Sequence, residues 1–169
     1  MKISSSRPDW SREEKAIFVW HPSRSLLASI RQYQRYTASN NMFLRLILRK
    51  FSVVRHRFWS AVTGADIPIN SKIGGGLLLP HPNGVVIHPD AEIGPNCLIF
   101  QQVTIGSRNG SAPPVIGGHV DIGAGAKLLG SITIGNNVEI GANAVVLADV
   151  PDDSIAVGVP AVVKPRKGV

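Results

Sequence analysis

The feature that most constrains the fold of this chain is a six-residue repeat that begins near residue 67. Large aliphatic residues recur at this step, and the residue four places after each of them is usually small or apolar. Neither the 3.6-residue period of a helix nor the two-residue period of a half-buried strand produces this pattern. The aliphatic positions are Ile67, Ile73, Leu79, Ile87, Ile93, Ile99, Ile105, Ile116, Ile122, Leu128, Ile134, Ile140 and Val146, and the small positions are Ser71, Ala91, Cys97, Val103, Val120, Ala126, Val138 and Ala144.

The repeat predicts a parallel β-solenoid in which each unit is a short strand followed by a tight turn. Three units make one coil, and equivalent residues of successive coils stack at the inter-strand spacing of about 4.8 Å. The aliphatic residue then points inward, the small residue fills a corner, and the glycines that often follow the aliphatic residue supply turn conformations. Residues 67–163 are enough for about five coils, which bury a continuous core by stacking.

The period is interrupted twice. The step is eight residues between Leu79 and Ile87 and eleven residues between Ile105 and Ile116. Extra residues in a solenoid have to leave the coil as loops, and such loops collect on the functional face. We therefore expect functional residues at these two places.

The residues before the repeat predict an α-helical N-terminal segment, residues 1–63, ahead of a β-solenoid domain, residues 64–169. Apolar residues recur at helical spacing in 24–36 and in 40–62. Ser25 is a candidate cap for the first helix, Asn40 and Asn41 are candidate caps for the second, and Gly64 is a stop signal. At the other end, "GVPAVVKP" leaves the repeat, and its prolines close the last coil.

Charge is distributed unevenly along the chain. Residues 1–60 contain twelve Lys and Arg against three acidic residues, whereas the remainder has six against eight, for a total of +7. In residues 42–62 basic residues interrupt an aliphatic run, which predicts either contact with an anionic membrane surface or packing within an oligomer of the chain. The single cysteine excludes an internal disulfide, and "MKISSSRPDW" lacks the apolar core of a secretory signal, so we expect a cytoplasmic protein.

Four stretches of the repeat region resemble the serine O-acetyltransferase family of hexapeptide acyltransferases. They are "GADIPINSKIGGGLLLPHPNGVVIHPDAEIG", "QQVTIG", "DIGAGAKLLGSITIGNNVEIGANAVVLADVP" and "AVGVPA". The resemblance covers residues 64–163 and implies a mainly β fold, a left-handed parallel β-helix of hexapeptide repeats with an N-terminal α-helical head. It also implies a homotrimer that transfers acetyl from acetyl-CoA to a hydroxyl, with active sites between neighbouring β-helices.

The resemblance assigns His81 as the general base and Asp66, fifteen residues earlier, as the carboxylate that orients it. A hydroxyl needs a base beside it to attack a thioester, and imidazole titrates close to neutral pH. A carboxylate on the far ring nitrogen fixes the tautomer and stabilises the imidazolium. Pro82 restricts His81 to extended backbone and helps to aim the ring.

The other histidines and the cysteine have structural interpretations. His88 stands where most coils have glycine and is expected to be a corner residue, and His119 is expected in a surface turn. His21 and His56 lie in the head. Cys97 occupies a small inward position, which predicts a buried filler and not a nucleophile.

The resemblance also implies a groove for acetyl-CoA, in which backbone amides bond the pantetheine arm and small residues let it approach. The matching positions are Gly106, Ala124 and Ala142, with Gly123 and Gly141 beside them. Basic residues near the end of the chain are candidates for its phosphates: Lys164, Arg166 or Lys167.

The chain departs from the family at the positions that recognise the amino acid. The family has an Asp directly before the catalytic His and an Arg-His pair in the second loop, where this chain has Pro80 and Ala112-Pro113. Neither proline nor alanine can pair with the ammonium or carboxylate of serine. Serine is the acceptor by resemblance, but these residues favour a sugar hydroxyl, with Arg108 or Asn109 as contacts.

Three other classes of protein fit less well. A metal hydratase similar to the gamma-type carbonic anhydrases needs three histidine ligands, two of them five residues apart, whereas His81, His88 and His119 are seven and thirty-one apart. A non-catalytic scaffold has no need to keep Asp66, His81 and both loops together. Nucleic-acid binding is supported only by the basic head, without a recognisable module. We expect no metal cofactor.

Overall fold

The structure is a computed structural model that describes residues 3–16, 19–37 and 42–166. Its repeat region forms three sheets that the chain visits in turn. Sheet 1 contains β1 (Lys72–Ile73), β3 (Glu92–Ile93), β6 (Val115–Ile116) and β9 (Thr133–Ile134). Sheet 2 contains β4 (Leu98–Ile99), β7 (Asp121–Ile122), β10 (Glu139–Ile140), β12 (Ser154–Gly158) and β13 (Ala161–Pro165). Sheet 3 contains β2 (Val86–Ile87), β5 (Thr104–Gly106), β8 (Lys127–Leu129) and β11 (Val145–Val146).

Isolated bridges add one further rung to each sheet. Asp66 pairs with Val86 in sheet 3, Leu78 pairs with Leu98 in sheet 2, and Val150 pairs with Ile134 in sheet 1. All strand pairs are parallel except that of β12 with β13. The parallel solenoid of five coils that the repeat predicts is therefore confirmed.

The core is the aliphatic ladder that the sequence indicates. All thirteen aliphatic positions of the repeat are at most 6 % exposed, and all eight small positions are also buried. Where the six-residue repeat is uninterrupted, adjacent rungs lie eighteen residues apart, as in the pairing of Asp121 with Glu139. Where the period is interrupted, Lys72 pairs with Glu92 and Glu92 with Val115, so the extra residues leave the coil without shifting the ladder.

The head contains two helices, α1 (Pro22–Thr37) and α2 (Met42–Thr63). The prediction of Ser25 as a cap is wrong: α1 begins three residues earlier at Pro22, whose fixed φ suits the first turn of a helix. Asn40 and Asn41 lie outside the described residues. Gly64 ends α2 as predicted, with a positive φ of 64° and its N–H donating to the Ser60 carbonyl at 2.9 Å.

One face of α2 packs inward through polar residues that the sequence analysis did not single out. Ser52, His56 and Thr63 are buried on it. The His56 Nδ1 atom lies 3.1 Å from the Ser29 hydroxyl of α1. Burial lowers the pKa of His56 below its ordinary value of 6.5, although the Ile67 backbone and the Asp66 carboxylate act in the opposite direction. His56 thus joins both helices to the first coil.

The segment before α1 is also tied to the β-helix, which no sequence pattern predicted. It contains a short 3-10 helix, Trp10–Glu13. The Asn96 side chain donates to the carbonyls of Ser4 and Arg7 at 2.6 and 2.8 Å and accepts from the Asp9 N–H at 2.7 Å. Residues 4–9 therefore run along one corner of the solenoid.

Glu13 provides the second attachment of this segment. Its carboxylate pairs with Arg31 of α1 at 2.8 Å and accepts from the N–H groups of Gly76 and Leu77 at 2.8 and 3.1 Å. The pair is largely buried, so removing either partner would leave a buried charge without its counter-ion.

The C-terminal end departs from the expectation that prolines simply close the last coil. After β12 the chain reverses at residues 159–160 and returns as β13, which pairs antiparallel with β12. In the described residues, no helix has the length and apolarity needed to cross a membrane.

The ladder predicts a position-specific pattern of stability. Ile122→Ala removes a fully buried ladder side chain and should lower the free energy of unfolding by about 2–5 kcal/mol. Val115→Ala, at an outward position that is 47 % exposed, should change it by no more than about 0.5 kcal/mol. Urea unfolding of both variants measures the difference, and equal losses would contradict the inward ladder.

His56 predicts a pH dependence of stability. Because its folded-state pKa is lowered, the unfolded chain binds a proton more readily once the pH falls below about 6.5. The free energy of unfolding should therefore decline between pH 7.5 and 5.5 and stay constant above that range. In His56→Gln this slope should flatten, whereas His119→Gln, the control in a surface turn, should keep it. An unchanged slope in His56→Gln would contradict this account of His56.

Candidate active site

His81 lies at the corner where the chain passes from sheet 2 to sheet 3. In sheet 2, Leu78 pairs with Leu98, Leu98 with Asp121, and Asp121 with Glu139. The residues that stack at this corner, which we call the histidine corner, are Asn83, Gln101, Ala124 and Ala142, since the N–H of Gln102 donates to the Asn83 carbonyl at 2.9 Å and a Cβ atom at Gly84 would lie 3.5 Å from the Gln102 Cα. His81 comes two residues before Asn83, within the first interruption of the repeat. Backbone bonds support the stacking, since the N–H of Gly125 donates to the Gln101 carbonyl at 2.9 Å and that of Asn143 to the Ala124 carbonyl at 2.8 Å.

Asp66 forms the first rung of sheet 3, directly after this corner in the path of a coil. Its N–H donates to the Val85 carbonyl at 2.8 Å, and its carbonyl accepts from the Ile87 N–H at 3.0 Å. Its neighbours Ala65 and Ile67 are buried whereas Asp66 itself is exposed, so its carboxylate points out of the coil. The segment that begins with His81 leads into Val86, the residue paired with Asp66.

The structure does not bring the two side chains into direct contact. Both are exposed, and among the described residues no ion pair within 4.0 Å joins the His81 ring to the Asp66 carboxylate. The roles assigned to them therefore stay predictions. Sequence reasoning missed a second imidazole near Asp66, that of His56, for which the signal was its helical spacing from Ser52 and Thr63.

The contacts of the remaining described histidines and of the cysteine fit the structural roles expected of them. His88 accepts from the Asp90 N–H at 3.2 Å, and His119, in a turn with a φ of 56°, has its Nδ1 atom 3.0 Å from the Asn137 side-chain oxygen. His21 lies just before α1. Cys97 is fully buried, and burial raises the pKa of its thiol to about 11, so it is a filler of the core and not a nucleophile at neutral pH.

The histidine corner offers backbone donors. In the described part of the chain, the N–H groups of Ala124 and Ala142 donate no hydrogen bond, and neither residue is buried. The glycine before Ala124 is required by the stacking, because a Cβ atom at Gly123 would lie 2.5 Å from the Ala142 nitrogen. Two amides without a partner in the described residues thus stand on adjacent coils, in the column that begins with Asn83, two residues after His81.

Two of the residues expected to contact acetyl-CoA, Gly106 and Lys164, lie outside the histidine corner of their own chain. Gly106 is opposite Leu129, five residues after Ala124 and at the far end of sheet 3. Lys164 is opposite Ile155, which pairs with Glu139, three residues before Ala142. Arg166 lies 3.8 Å from the Glu139 carboxylate, and Lys167 is outside the described residues.

The two interruptions of the repeat form the loops that were expected. Arg108, Asn109 and Ala112 are exposed in the second loop, which the Ser111 N–H closes by donating to the Arg108 carbonyl at 2.9 Å. Pro80 is exposed beside His81. Across residues 3–16, 19–37 and 42–166, no three His, Cys, Asp or Glu side chains form a group suited to a metal ion.

Sequence comparison identifies the repeat and its relatives. The model of the family "Bacterial transferase hexapeptide (six repeats)" matches residues 113–148. A serine acetyltransferase of Synechococcus elongatus is 46 % identical over 111 residues, 64 % of this chain and 46 % of the relative. One of Helicobacter pylori strain J99 is 48 % identical over 103 residues, 59 % of this chain and 60 % of the relative. The chain thus spans about half the length of the curated relatives it matches.

Structural comparison gives the same family and extends the likeness into the head. A serine acetyltransferase of Brucella abortus superimposes with a TM-score of 0.74 at 29 % identity, over 89 % of this chain and 59 % of that one. The soybean serine acetyltransferase apoenzyme does so with 0.67 at 34 % identity, over 85 % and 56 %. A serine acetyltransferase in complex with CoA gives 0.71 at 30 % identity, over 86 % and 58 %.

These neighbours are left-handed β-helix proteins, so the expected fold class is confirmed. The resemblance stated from the residues is confirmed as well: the chain carries the hexapeptide repeat of bacterial transferases and is similar in sequence and in fold to serine acetyltransferases.

Proposed function

We propose that this chain is an acetyl-CoA-dependent O-acetyltransferase whose catalytic unit is the β-helix domain, residues 64–169. The observation that supports this most is that the exposed His81 comes two residues before the corner column of Asn83, Gln101, Ala124 and Ala142, in which the N–H groups of Ala124 and Ala142 donate no hydrogen bond to the described residues. A base and a place for an extended acyl carrier are the two parts that acetyl transfer to an alcohol needs.

In this proposal His81 is the general base. Its ring takes the proton of the acceptor hydroxyl as the oxygen attacks the thioester carbonyl, and CoA leaves as the thiol once that proton is passed to its sulfur. Asp66 is a positioning residue that stabilises the imidazolium. Its carboxylate and the His81 ring are both exposed, and catalytic hydrogen bonds often tighten only once substrates are bound.

The pantetheine arm of acetyl-CoA would follow the histidine corner and accept hydrogen bonds from the N–H groups of Ala124 and Ala142. Lys164 and Arg166 are the described cations near the end of the chain and are proposed to meet its phosphates. A serine acetyltransferase complexed with CoA is among the structural neighbours, which supports CoA as the carrier.

A homotrimer completes this site. Gly106 pairs with Leu129, which comes five residues after Ala124, at the opposite end of sheet 3 from the histidine corner. Within one chain it cannot line the same groove, but the Gly106 of a neighbouring copy can. A Cβ atom at this glycine would meet nothing closer than 3.9 Å, so its surface is open to a ligand or a second copy.

The names of the relatives indicate which acceptor molecule to test first. Those reported above are all named serine acetyltransferases, so the sugar hydroxyl favoured by Pro80 and Ala112 gains no support from them. L-serine is therefore the first acceptor to test. The single, buried Cys97 fits a reducing compartment, and we propose a cytoplasmic site of action.

We also propose that α2 rests on an anionic membrane surface. Leu46, Ile47, Phe51, Val54, Phe58 and Val62 follow one another at near-helical spacing and are between 42 % and 68 % exposed. The helix carries five Lys and Arg and no acidic residue. A second copy of α2 would bring like charges together, whereas anionic lipid headgroups are complementary to them and the apolar residues can enter the acyl boundary.

Activity tests the catalytic proposal through thiol release from acetyl-CoA with L-serine. His81→Ala should lower the rate by about 10²–10⁴-fold because the hydroxyl loses its base. Asp66→Asn should lower kcat about tenfold and shift its pH profile, since the imidazolium loses its partner. His88→Ala, at a neighbouring corner, is the matched control and should keep the rate.

Light scattering should give each variant the mass of three 18.1 kDa chains, so that an unfolded variant is not mistaken for an inactive one. Near-normal turnover by His81→Ala would contradict the proposed mechanism. Saturable turnover of sugars but not of L-serine would overturn the choice of acceptor and leave the mechanism intact.

Vesicle flotation tests the membrane proposal. The protein should bind vesicles of phosphatidylcholine with phosphatidylserine at least about tenfold more strongly than vesicles of phosphatidylcholine alone. The double variant Phe51→Ser, Phe58→Ser should lose this binding, and Val115→Ser on the β-helix should keep it. No preference for anionic vesicles, or a double variant whose only change is a smaller assembly, would mean that α2 packs on another copy.

A further inference from the structure

A cleft of about 500 Å³ lies between the two helices of the head. Tyr33 lines it from α1, and the rest of the lining comes from α2: Leu46, Arg49, Lys50, Val53 and Val54. The aliphatic side chains and the tyrosine ring make most of this lining apolar, and the polar groups in it are one hydroxyl and two cations. A concave, mainly apolar space between helices with a few polar groups is typical of a ligand site.

The cleft opens on the side of α2 that is proposed to meet the membrane. Leu46 and Val54 line the cleft and also belong to the exposed apolar residues of α2, with 51 % and 68 % of their surface exposed. Val53 is half-buried and lines the cleft without belonging to that exposed set. An alkyl chain that lies against the exposed set can therefore enter the cleft without crossing water.

The two cations of the cleft are placed but not neutralised. The Arg49 Nη2 atom donates to the Tyr33 hydroxyl at 2.7 Å, and the guanidinium carbon lies 4.9 Å from the centre of the tyrosine ring. These contacts fix the guanidinium beside the cleft but leave its charge without a counter-ion, and Lys50 is exposed next to it.

The helices themselves supply no anion. The sequences of α1 and α2 contain neither Asp nor Glu. Within the part of the chain that the structure describes, no ion pair within 4.0 Å joins Arg49 or Lys50 to a carboxylate. A second copy of these helices would bring the same cations to the cleft, so an occupant with its own negative charge is complementary where a second copy is not.

We propose that the cleft holds one alkyl chain of an anionic phospholipid, with the headgroup phosphate bound by Arg49 and Lys50. The inference rests on the proposed contact of α2 with an anionic membrane and adds a defined lipid site to it. A guanidinium can bind phosphate through two parallel hydrogen bonds, and an ammonium binds it as a point charge. The apolar lining favours the chain, because each methylene that enters it leaves water.

Calorimetry with a soluble amphiphile tests the site apart from the membrane. Dodecyl phosphate, kept below the concentration at which it forms micelles, should bind with one molecule per chain. It should bind at least about tenfold more tightly than dodecyl maltoside, which has the chain but no charge. Inorganic phosphate, which has the charge but no chain, should bind at least about tenfold more weakly as well.

Three variants separate the cleft from the membrane surface. Val53→Trp fills the cleft and should abolish binding of dodecyl phosphate, but it should leave flotation with anionic vesicles unchanged because Val53 is not part of the exposed set. Phe58→Ser is the converse control: it should weaken flotation and keep the binding of dodecyl phosphate. Lys50→Gln, at an exposed position, should reduce the preference for dodecyl phosphate over dodecyl maltoside and decides the test if Val53→Trp does not fold.

The outcomes distinguish this inference from the membrane proposal. Binding of dodecyl phosphate without flotation on anionic vesicles would uphold the cleft and defeat the proposed membrane surface. Flotation without binding of dodecyl phosphate, equal binding of dodecyl phosphate and dodecyl maltoside, or binding that survives Val53→Trp would overturn the inference. A smaller assembly of Val53→Trp by light scattering would overturn it too, because another copy of the chain would then fill the cleft.

Discussion

The eighteen-residue stacking register is the constraint on which the rest of this structure depends. Inward aliphatic residues at every sixth position bury their side chains only when each coil lies directly on the one below, so the core fixes the position of every turn. Insertions cannot change this register. They are confined to loops, which is why the eight- and eleven-residue steps leave the ladder intact.

The register also explains how residues distant in sequence meet. It places Asn83, two residues after His81, above Ala124 and Ala142 although more than forty residues separate this asparagine from the first alanine. The Ala124 carbonyl accepts from the Asn143 N–H of the next coil, whereas within the part of the chain that the structure describes the N–H groups of Ala124 and Ala142 donate no hydrogen bond. A column of backbone donors beside the first interruption is therefore a consequence of the repeat.

Much of the fold could be predicted from the sequence because the repeat is local and regular. The thirteen ladder positions, the five coils and the stop at Gly64 follow from spacing and from glycine chemistry. Ser25 was a wrong cap because Pro22 begins the helix earlier. The return of β13 was not foreseen, since its pairing is antiparallel and has no six-residue signal.

The site could be predicted only in part. Spacing placed His81 and Asp66 on neighbouring coils, but the separation of their side chains depends on rotamers that no spacing reveals. The attachment of residues 4–13 to Asn96 and Gly76 could not be predicted, because these contacts join segments more than sixty residues apart without any periodic pattern.

The most direct test of the account is a crystal structure of the protein with CoA. The account predicts the pantetheine arm along the histidine corner, bonded to the N–H groups of Ala124 and Ala142, with its sulfur beside the His81 ring and the Gly106 of a neighbouring copy on its other side. CoA bound on another face of the β-helix, or with its sulfur remote from His81, would contradict it.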